Sequence, residues 1–386
     1  MLRLCWIIAL SLSSLGISVA AADESTAALL KDIEAFRAEG PASPTTRAAW
    51  NQLVARGPAV LPDLLAAMDT PDTVTANWLR TAFDRIANDA RARRQPIDTD
   101  ALLTFIKDPK HQGRTRRLAL DLVEELRPGT RAALIPGWLD DPEFRFEAVA
   151  DTVMKADRLT KEKQNEAAIL LYQKAFAACR DPRQTKEVAV QLKEHGVTVS
   201  PAEHLGFLTD WYILGPFPAH EWKGFATVYP PEESYRRTGQ LPPAPAGMTW
   251  KRQQCPVRGV ADRHVILVNI LESLGVHHDA VAYAFTTIIL PEAQEVEFRG
   301  AADDNFTVWV NGQKRFGFEE YRNGVRHDRH RFPVRLHQGA NTVLVKICQA
   351  PLDDANPQPN WEFFLRVVDP TGKGIAMKNA LPELKP

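Results

Sequence analysis

The apolar residues of this chain change their spacing near residue 200, and this change divides the chain between two kinds of secondary structure. Residues 25–196 are rich in Ala, Leu, Arg and Glu, and their apolar positions recur at helical intervals. Residues 207–376 are rich in Val, Phe, Trp, Gly and Pro, and their apolar residues alternate in short runs typical of strands. The sequence therefore predicts a multidomain α and β protein, with helices before antiparallel strands.

The helical half contains a repeated unit. An apolar helix pattern ends four times at a proline, at Pro71, Pro109, Pro142 and Pro182, so the spacings are 38, 33 and 40 residues. Proline cannot continue a helix, and a repeat of this length is typical of helix pairs that stack into an α-solenoid. We therefore predict an N-terminal α-solenoid.

The string LVARGPAVLPDLL at residues 53–65 resembles the HEAT-repeat pattern. This resemblance implies HEAT-like repeats over about residues 45–155, whereas residues 161–196 also fit a TPR-like helix pair. Solenoids usually bind protein partners on a concave face. Two interpretations stay open at this point: the helices engage a protein partner, or they only brace the second domain.

The sequence of the second half predicts a series of short strands. The first is the run that begins at Trp211 and enters a Gly-Pro turn. The other candidates are residues 249–253, 265–271, 281–289, 295–300, 306–310, 330–336, 341–349 and 361–368. This number of short strands with Gly and Pro turns predicts an antiparallel β-sandwich or jelly roll. The repeated prolines of residues 229–245 predict an irregular or extended loop.

The pair Asn311-Gly312 predicts a tight hairpin, because a type I′ turn needs positive φ at both central residues. Val308 and Val310 fall on one face of the strand before it, and Trp309 falls on the other. The alternation and the turn together fix this hairpin as the centre of the predicted sheet structure.

The string RGAADDNFTVWVNG at residues 299–312 resembles the signature of galactose-binding-like jelly rolls. The strings LHQGANTVLVKI at 336–347 and WEFFLRV at 361–367 continue the same pattern, so the resemblance covers about residues 208–370. Such domains include carbohydrate-binding modules appended to glycoside hydrolases. The resemblance implies a β-sandwich that binds a carbohydrate.

PA14-like modules are the rival family for the same segment, since they share an Asp-Asp pair before a strand and an Asn/Asp-Gly hairpin. In some of them the aspartates bind calcium. Asp303, Asp304 and Asn305 are therefore candidate ligand-binding residues, and Asp303 and Asp304 are candidate ligands of Ca²⁺, which takes about six to eight oxygens. The alternative interpretation is a structural turn, because aspartates readily bond to nearby backbone N–H groups.

Two further residues are candidates for ligand contact. Trp222 lies among polar residues in a predicted loop, where an exposed indole could stack on a sugar ring. Arg299 opens the galactose-binding-like motif. The clusters His277-His278-Asp279 and His327-Asp328-Arg329-His330 have no helical metalloprotease spacing, so we interpret them as polar loop residues.

The first residues predict an export signal. Arg3 precedes an apolar run from Cys5 to Val19, and three alanines follow, which suits cleavage after Ala22 or after Ala21. An uncleaved N-terminal anchor is the alternative, although the run is shorter than the roughly 20 residues of a bilayer span. We therefore expect a periplasmic or extracellular protein with no transmembrane segment after signal removal.

The remaining cysteines, Cys179, Cys255 and Cys348, are too few and too widely spaced for a disulfide-stapled fold. Cys255 and Cys348 both fall in the β region and could pair, whereas buried free thiols are the alternative. The formal net charge of −1 provides no long-range field for nucleic acid.

The chain contains no local nucleophile, phosphate-loop or dinucleotide motif, so the sequence predicts a protein that is not an enzyme. The leading hypothesis is a non-catalytic binding protein, whose β-sandwich recognises a glycan or cell-envelope polymer and whose helices engage a protein partner. The alternatives are a structural assembly module without a small ligand, or an accessory component of a carbohydrate-active enzyme system. The predicted limits are 1–22 for the signal, 23–198 for the helical domain, 199–207 for the linker, 208–376 for the β-sandwich and 377–386 for a C-terminal tail.

Overall fold

The computed structural model describes residues 25–35, 43–255, 266–321, 324–351 and 360–384. The predicted signal at residues 1–22 lies outside these ranges. The chain divides into two compact units, Met1–Arg131 and Ala132–Pro386. Helices make up the first unit, and the second combines helices with two antiparallel sheets. The predicted combination of helices and antiparallel strands is thus confirmed, and the described strands form no closed barrel.

Within the described residues, most helices lie before residue 205 and the strands lie after it. The helices are α1 (Thr26–Glu34), α2 (Pro44–Ala55), α3 (Leu61–Ala67), α4 (Thr73–Ala92), α5 (Thr99–Lys107), α6 (Gly113–Leu126), α7 (Thr130–Leu134), α8 (Arg145–Lys161), α9 (Asn165–Ala178), α10 (Pro182–Glu194), α11 (Pro201–His204), α12 (Pro230–Thr238) and α13 (Ile270–Leu274). The strands are β1 (Asp210–Pro218), β2 (Lys251–Gln254), β3 (Val268–Asn269), β4 (Ala280–Leu290), β5 (Gln294–Asp303), β6 (Asn305–Val310), β7 (Gln313–Phe318), β8 (His330–Leu336), β9 (Gly339–Gln349), β10 (Glu362–Val368) and β11 (Lys378–Ala380).

The helices begin where their sequences provide caps and bury the faces that the apolar spacing predicts. The side chains of Ser43 and Asp72 accept backbone N–H groups in the first turns of α2 and α4. Each of the four repeated prolines lies between two helices or at the first position of a helix, as the repeat predicts. The buried residues of α4, which include Leu79, Phe83 and Ile86, recur at helical spacing.

Asp69 fastens the turn after α3 to the start of α6 within the first unit. Its carboxylate accepts the backbone N–H of Gln112 at 3.0 Å and the hydroxyl of Thr115 at 2.7 Å. The same carboxylate lies 2.6 Å from Nδ1 of His111, whose ring stacks on Phe105. One aspartate therefore joins the turn after α3 to the start of α6, across more than forty positions of sequence.

We expect Asp69→Ala to lower the free energy of unfolding by about 1–2 kcal/mol, as the loss of a helix-capping carboxylate does. Urea denaturation measures this effect. Asp84→Ala is the matched control, since the Asp84 side chain is 49% exposed and its ion pair is with Arg80, one turn away at 3.6 Å. An equal effect of the two substitutions would contradict the assigned role of Asp69.

Two antiparallel sheets form the β part of the second unit. The seven-stranded sheet has the order β2-β1-β4-β9-β6-β7, with β11 also paired to β4. The four-stranded sheet has the order β3-β10-β5-β8. Residues of both sheets, such as Val308 and Val345 from one and Phe298 and Val367 from the other, belong to a single buried cluster. The hydrophobic core of this unit therefore lies between the sheets.

The chain around the predicted linker is tied to the four-stranded sheet. Residues 201–204 form α11, and the backbone N–H of Val367 in β10 donates to Gly206 O at 2.8 Å. His204 Nε2 lies 2.9 Å from Cys179 O at the end of α9. Residues 378–380, in the segment predicted as a tail, pair with β4.

The segment of residues 219–250 covers the outer face of the seven-stranded sheet; we call it the cover segment. Its Tyr229, Tyr235 and Trp250 join a second buried cluster with Tyr283 and Trp309 of the sheet. The prediction of an irregular loop over residues 229–245 was wrong for residues 230–238, which form α12. The first two residues of a helix tolerate proline, because their N–H groups have no partner within the helix.

The described cysteines Cys179, Cys255 and Cys348 are buried, and no disulfide joins them to one another. Cys255 belongs to the core between the sheets, whereas Cys348 lies on the outer face of β9 under the cover segment. The suggested pairing of Cys255 with Cys348 was therefore wrong, because the seven-stranded sheet separates the two thiols.

Candidate functional site

The predicted acidic motif lies where the chain crosses from one sheet to the other. Asp303 ends β5 in the four-stranded sheet, and Asn305 begins β6 in the seven-stranded sheet. The Asp303–Asp304 peptide bond is cis. Both residues thus lie at a rim, where strands of the two sheets end, and not in the middle of either sheet.

Asp304 and Asn305 are buried and bind neighbouring strand ends. The Asp304 backbone N–H donates to Cys348 O at 3.1 Å, and the Asp304 carboxylate accepts the N–H of Ala350 at 2.8 Å. Asn305 Oδ1 accepts the N–H of Glu320 at 2.5 Å. Asn305 Nδ2 is also buried, but it has no hydrogen-bond partner among the described residues. The oxygens of this motif act structurally, whereas the amide nitrogen keeps an unused donor.

The side chain of Asp303 lies in surroundings that disfavour a negative charge. Burial raises its pKa to about 8, and the adjacent Asp304 carboxylate and Glu362 of β10 act in the same direction. Glu362 is the register partner of Asp303 across β5 and β10. These effects favour the protonated form of Asp303, and in that form its carboxyl group can donate as well as accept a hydrogen bond.

The described residues do not complete a calcium site around this motif. Ca²⁺ takes about six to eight oxygen ligands, usually with several carboxylates. No group of three or more His, Cys, Asp or Glu side chains within the described ranges could hold a metal ion. Asp303 and Asp304 alone do not fit the ion, and calcium remains a prediction.

Trp222 lies at the same rim, in a turn with an uncommon backbone. His220, Glu221 and Trp222 have φ angles of 52°, 56° and 72°, although none of them is glycine. A left-handed conformation costs roughly 1–2 kcal/mol for each L-residue. The Asp279 carboxylate offsets this cost by accepting the N–H of Glu221 at 2.7 Å and that of Trp222 at 3.3 Å.

Tyr321 joins Trp222 to Asn305. Its hydroxyl donates to Trp222 O at 3.0 Å, and its ring meets the indole edge to face at 4.6 Å between centroids. Burial raises the pKa of Tyr321, and the amide of Asn305 beside the hydroxyl partly opposes this change. The indole of Trp222 nevertheless stays 39% exposed, which leaves part of it for a ligand.

A second path links Trp222 to the acidic motif through Ala350. Ala350 N–H donates to the Asp304 carboxylate at 2.8 Å, and Ala350 O accepts the N–H of Asp279 at 2.9 Å. Asp279 in turn holds the Trp222 turn. These two paths connect a set of residues that we call the rim site. Its members are Trp222, Asp279, Asp304, Asn305 and Tyr321, and Asp303 precedes Asp304 in the chain.

Arg299 is not part of the rim site. It precedes Asp303 by four residues on β5, a separation of roughly 13 Å along an extended strand. Its guanidinium lies 2.5 Å from the Glu297 carboxylate and 3.0 Å from the Asp328 carboxylate, and it also lies against Gly372. The structure thus connects three of the five predicted residues, Trp222, Asp304 and Asn305, leaves Asp303 next to them in the chain, and places Arg299 in a separate ion-pair network.

Two residues of the rim site, Asp279 and Tyr321, were not among the predicted ligand residues. The cluster His277-His278-Asp279 was interpreted as a polar loop, and its aspartate could have been noticed only as a turn-forming residue. Tyr321 follows β7 without any local motif. Its role depends on a contact with Trp222 across 99 positions of sequence.

Comparisons with known proteins do not identify the chain. No protein-family model matches it, and no curated protein is significantly similar to it. The solved structures with a match include a beta-glucuronidase of an uncultured Clostridium species, at 9% sequence identity and a TM-score of 0.24. The match covers 42% of this chain and 29% of the glucuronidase. A TM-score of this size supports no conclusion about fold or activity.

None of the helices in the described ranges has both the length and the apolar character that crossing a bilayer requires.

Proposed function

We propose that this chain is an exported, non-catalytic binding protein. In this proposal the helices form a HEAT-like α-solenoid that engages a protein partner. The two sheets form a galactose-binding-like jelly roll that recognises a glycan or cell-envelope polymer. The observation that carries the proposal is the rim site, where the partly exposed Trp222 indole is joined through Tyr321 to the buried Asn305 amide.

The chemistry of the rim site suits a polyhydroxylated ligand. An aromatic ring that is held by its neighbours offers an apolar surface at low entropic cost. Asp303, at the same rim, is half-buried.

The cover segment supports the rim as the place of binding. It occupies the outer face of the seven-stranded sheet, where Tyr229, Tyr235 and Trp250 are buried. A ligand cannot lie on that face without displacing these side chains. The strand ends at the rim leave the Trp222 indole accessible instead.

We expect the whole chain to bind at least one polysaccharide saturably, and we expect Trp222→Ala to weaken that binding at least about tenfold. Truncation of a central aromatic residue commonly costs 2 kcal/mol or more of binding free energy. A glycan array, followed by titration with the selected glycan in the presence and absence of calcium, measures this effect.

Phe146→Ala is the matched control for this experiment, because Phe146 is an exposed aromatic residue on α8 with 56% of its surface accessible. Its substitution should leave glycan affinity unchanged. Absence of saturable binding to any glycan, with and without calcium, would contradict the glycan part of the proposal.

A structural role of the same motif is the second candidate. It is favoured by the oxygens of Asp304 and Asn305, which already fasten Ala350 and Glu320 at the strand ends. In that case the β part is an assembly module without a small ligand. Stable oligomers in solution, together with no glycan binding, would support this second candidate.

A further inference from the structure

Asp279 connects the strand ends of the seven-stranded sheet to the Trp222 turn. We infer that Asp279 is the positioning residue of the rim site: its carboxylate holds residues 220–222 in the left-handed conformation that presents the Trp222 indole. The inference deepens the proposed function, on which its statement about ligand affinity rests. The inferred conformation of Trp222 can be tested without a ligand.

Asp279 is itself fixed on both sides of its backbone. Its N–H donates to Ala350 O at the end of β9, at 2.9 Å, and its carbonyl accepts the N–H of Ala219 at 2.8 Å. Its own φ is 47°, which turns the chain just before β4 begins at Ala280. The carboxylate thus projects from a firmly bound position at the rim.

The turn that it holds contains residues with little intrinsic preference for its conformation. Three consecutive L-residues, His220, Glu221 and Trp222, have positive φ; histidine is enriched in this conformation, but glutamate and tryptophan are not. Successive N–H groups in such a turn point towards one place and form a concave site for an anion. The two oxygens of the Asp279 carboxylate occupy that place, at 2.7 Å from Glu221 N and 3.3 Å from Trp222 N.

The Trp222 residue is then held from two directions. Asp279 accepts its N–H, and the Tyr321 hydroxyl donates to its carbonyl at 3.0 Å. The indole rests on the Tyr321 ring. Loss of the carboxylate removes the acceptors of the Glu221 and Trp222 N–H groups, and residues 220–222 should then return to ordinary negative φ values.

The test uses the whole chain labelled with 5-fluorotryptophan and observed by ¹⁹F NMR. The Trp222 signal is assigned by its loss in Trp222→Phe. We expect Asp279→Ala to shift or broaden this one signal and to leave the other tryptophan signals in place. A Trp222 signal that is unchanged in Asp279→Ala would overturn the inference.

Asp369→Ala is the matched control. Asp369 is also a loop carboxylate that accepts backbone N–H groups, from Thr371 at 2.8 Å and from Lys373 at 3.0 Å. It follows the end of β10 that lies opposite to Glu362, the register partner of Asp303. Its substitution should not move the Trp222 signal. A shift of the Trp222 signal in this control would show a general response to loop changes and would also overturn the inference.

A rescue variant separates positioning from general support of the fold. Glu221→Gly lets the central residue of the turn adopt positive φ without steric cost, so in the Asp279→Ala background it should restore part of the Trp222 signal. Failure of Glu221→Gly to restore any of it would contradict the role assigned to the turn conformation.

If Asp279→Ala changes every tryptophan signal because the chain no longer folds, the milder variant Asp279→Asn tests the inference instead. Asparagine tolerates the same backbone conformation and keeps one of the two acceptor oxygens. A selective shift of the Trp222 signal in Asp279→Asn supports the inference, and an unshifted signal overturns it.

Ligand affinity provides a separate readout. For a glycan that the unaltered chain binds, Asp279→Ala should weaken binding about tenfold, since the ligand must then order the turn itself. If the unaltered chain binds no glycan, the proposed function fails, while the NMR result still decides whether Asp279 positions Trp222.

Discussion

Replacing Lys346 with methionine is expected to lower the free energy of unfolding by about 3–5 kcal/mol. Lys346 lies in the middle of β9 on the outer face of the sheet, and its side chain is only 2% exposed. Its Nζ donates to Phe225 O at 2.9 Å, to Thr227 O at 2.6 Å and to Glu232 Oε2 at 3.2 Å. Removal of the ammonium group leaves the buried Glu232 carboxylate with the more distant cation of Arg236, at 3.8 Å and 55% exposed, and this accounts for the expected cost.

The same network attaches the cover segment to the sheet. Glu232 Oε2 also accepts the hydroxyl of Tyr283 at 3.2 Å, and burial together with the Glu232 charge raises the pKa of Tyr283 far above its ordinary value. The Lys346 ammonium lies 5.3 Å from the centre of the Tyr229 ring. Loss of Lys346 should therefore loosen the cover segment as well as lower global stability.

Urea denaturation of Lys346→Met and of Arg335→Met separates the buried pair from an exposed one. Arg335 lies 3.1 Å from Glu295, and the two side chains are 73% and 65% exposed, so its loss should cost less than about 1 kcal/mol. The double variant Lys346→Met/Glu232→Gln should recover part of the stability, because it also removes the charge of the Glu232 carboxylate. If Lys346→Met is no more destabilising than Arg335→Met, the network does not hold the cover segment.

The elements that the sequence predicts well are those determined by neighbouring residues. Asn311 and Gly312 have φ angles of 51° and 79°, so the Asn-Gly pair forms the expected turn between β6 and β7. Val308 and Val310 face the core between the sheets, and Trp309 faces the cover segment, as their alternation predicts. Turn chemistry and two-residue periodicity are local properties, which a single sequence displays directly.

The contacts of the cover segment could not be predicted from local sequence patterns. Glu232 and Lys346 are 114 positions apart, and neither residue alone indicates a buried partner. The prolines of residues 229–245 favour an extended chain, yet Pro230 and Pro231 lie in the first turn of α12. The tertiary contacts of Tyr235 and Glu232 stabilise that helix, and they depend on the complete sheet.

The rim site was predicted in part for a similar reason. Asp304 and Asn305 were identified from their position at the end of a strand, and Trp222 from its polar surroundings. Their convergence depends on Asp279, 57 positions after Trp222, and on Tyr321, 99 positions after it. Because both connections are long-range, the sequence predicted Trp222, Asp304 and Asn305 separately and missed Asp279 and Tyr321.

Asp328→Asn is the second substitution with a large expected effect. Asp328 Oδ1 accepts Arg366 Nε at 2.7 Å, and Oδ2 accepts Arg299 Nη1 at 3.0 Å and Arg366 Nη2. Arg366 is only 1% exposed, and its Nη1 donates to Leu205 O at 3.1 Å. An amide at position 328 removes the carboxylate charge from the buried Arg366 guanidinium and one of the two carboxylates beside Arg299, which keeps Glu297, so we expect a loss of about 3–5 kcal/mol at pH 7.

This effect should depend on pH in a defined direction. Burial alone would raise the pKa of Asp328, but the hydrogen bonds and charge of Arg366, with His327 and Arg299, hold it at about 2. The pKa of an aspartate in the unfolded chain is about 3.9. A depressed pKa in the folded state stabilises the protein above the unfolded pKa, and this contribution, about 2.5 kcal/mol, is lost as the pH falls from about 4 through 2.

Urea denaturation of the unaltered chain and of Asp328→Asn between pH 7 and pH 2 measures this dependence. The difference in unfolding free energy should be constant from pH 7 to about pH 5 and should shrink towards pH 2, where Asp328 takes up its proton. Asp100→Asn is the control, because Asp100 and its partner Arg127 are 79% and 50% exposed and their pair contributes less than about 1 kcal/mol. A difference for Asp328→Asn that stays constant down to pH 2 would show that the carboxylate charge does not stabilise the buried guanidinium groups, and that the cost of the substitution comes from altered packing alone.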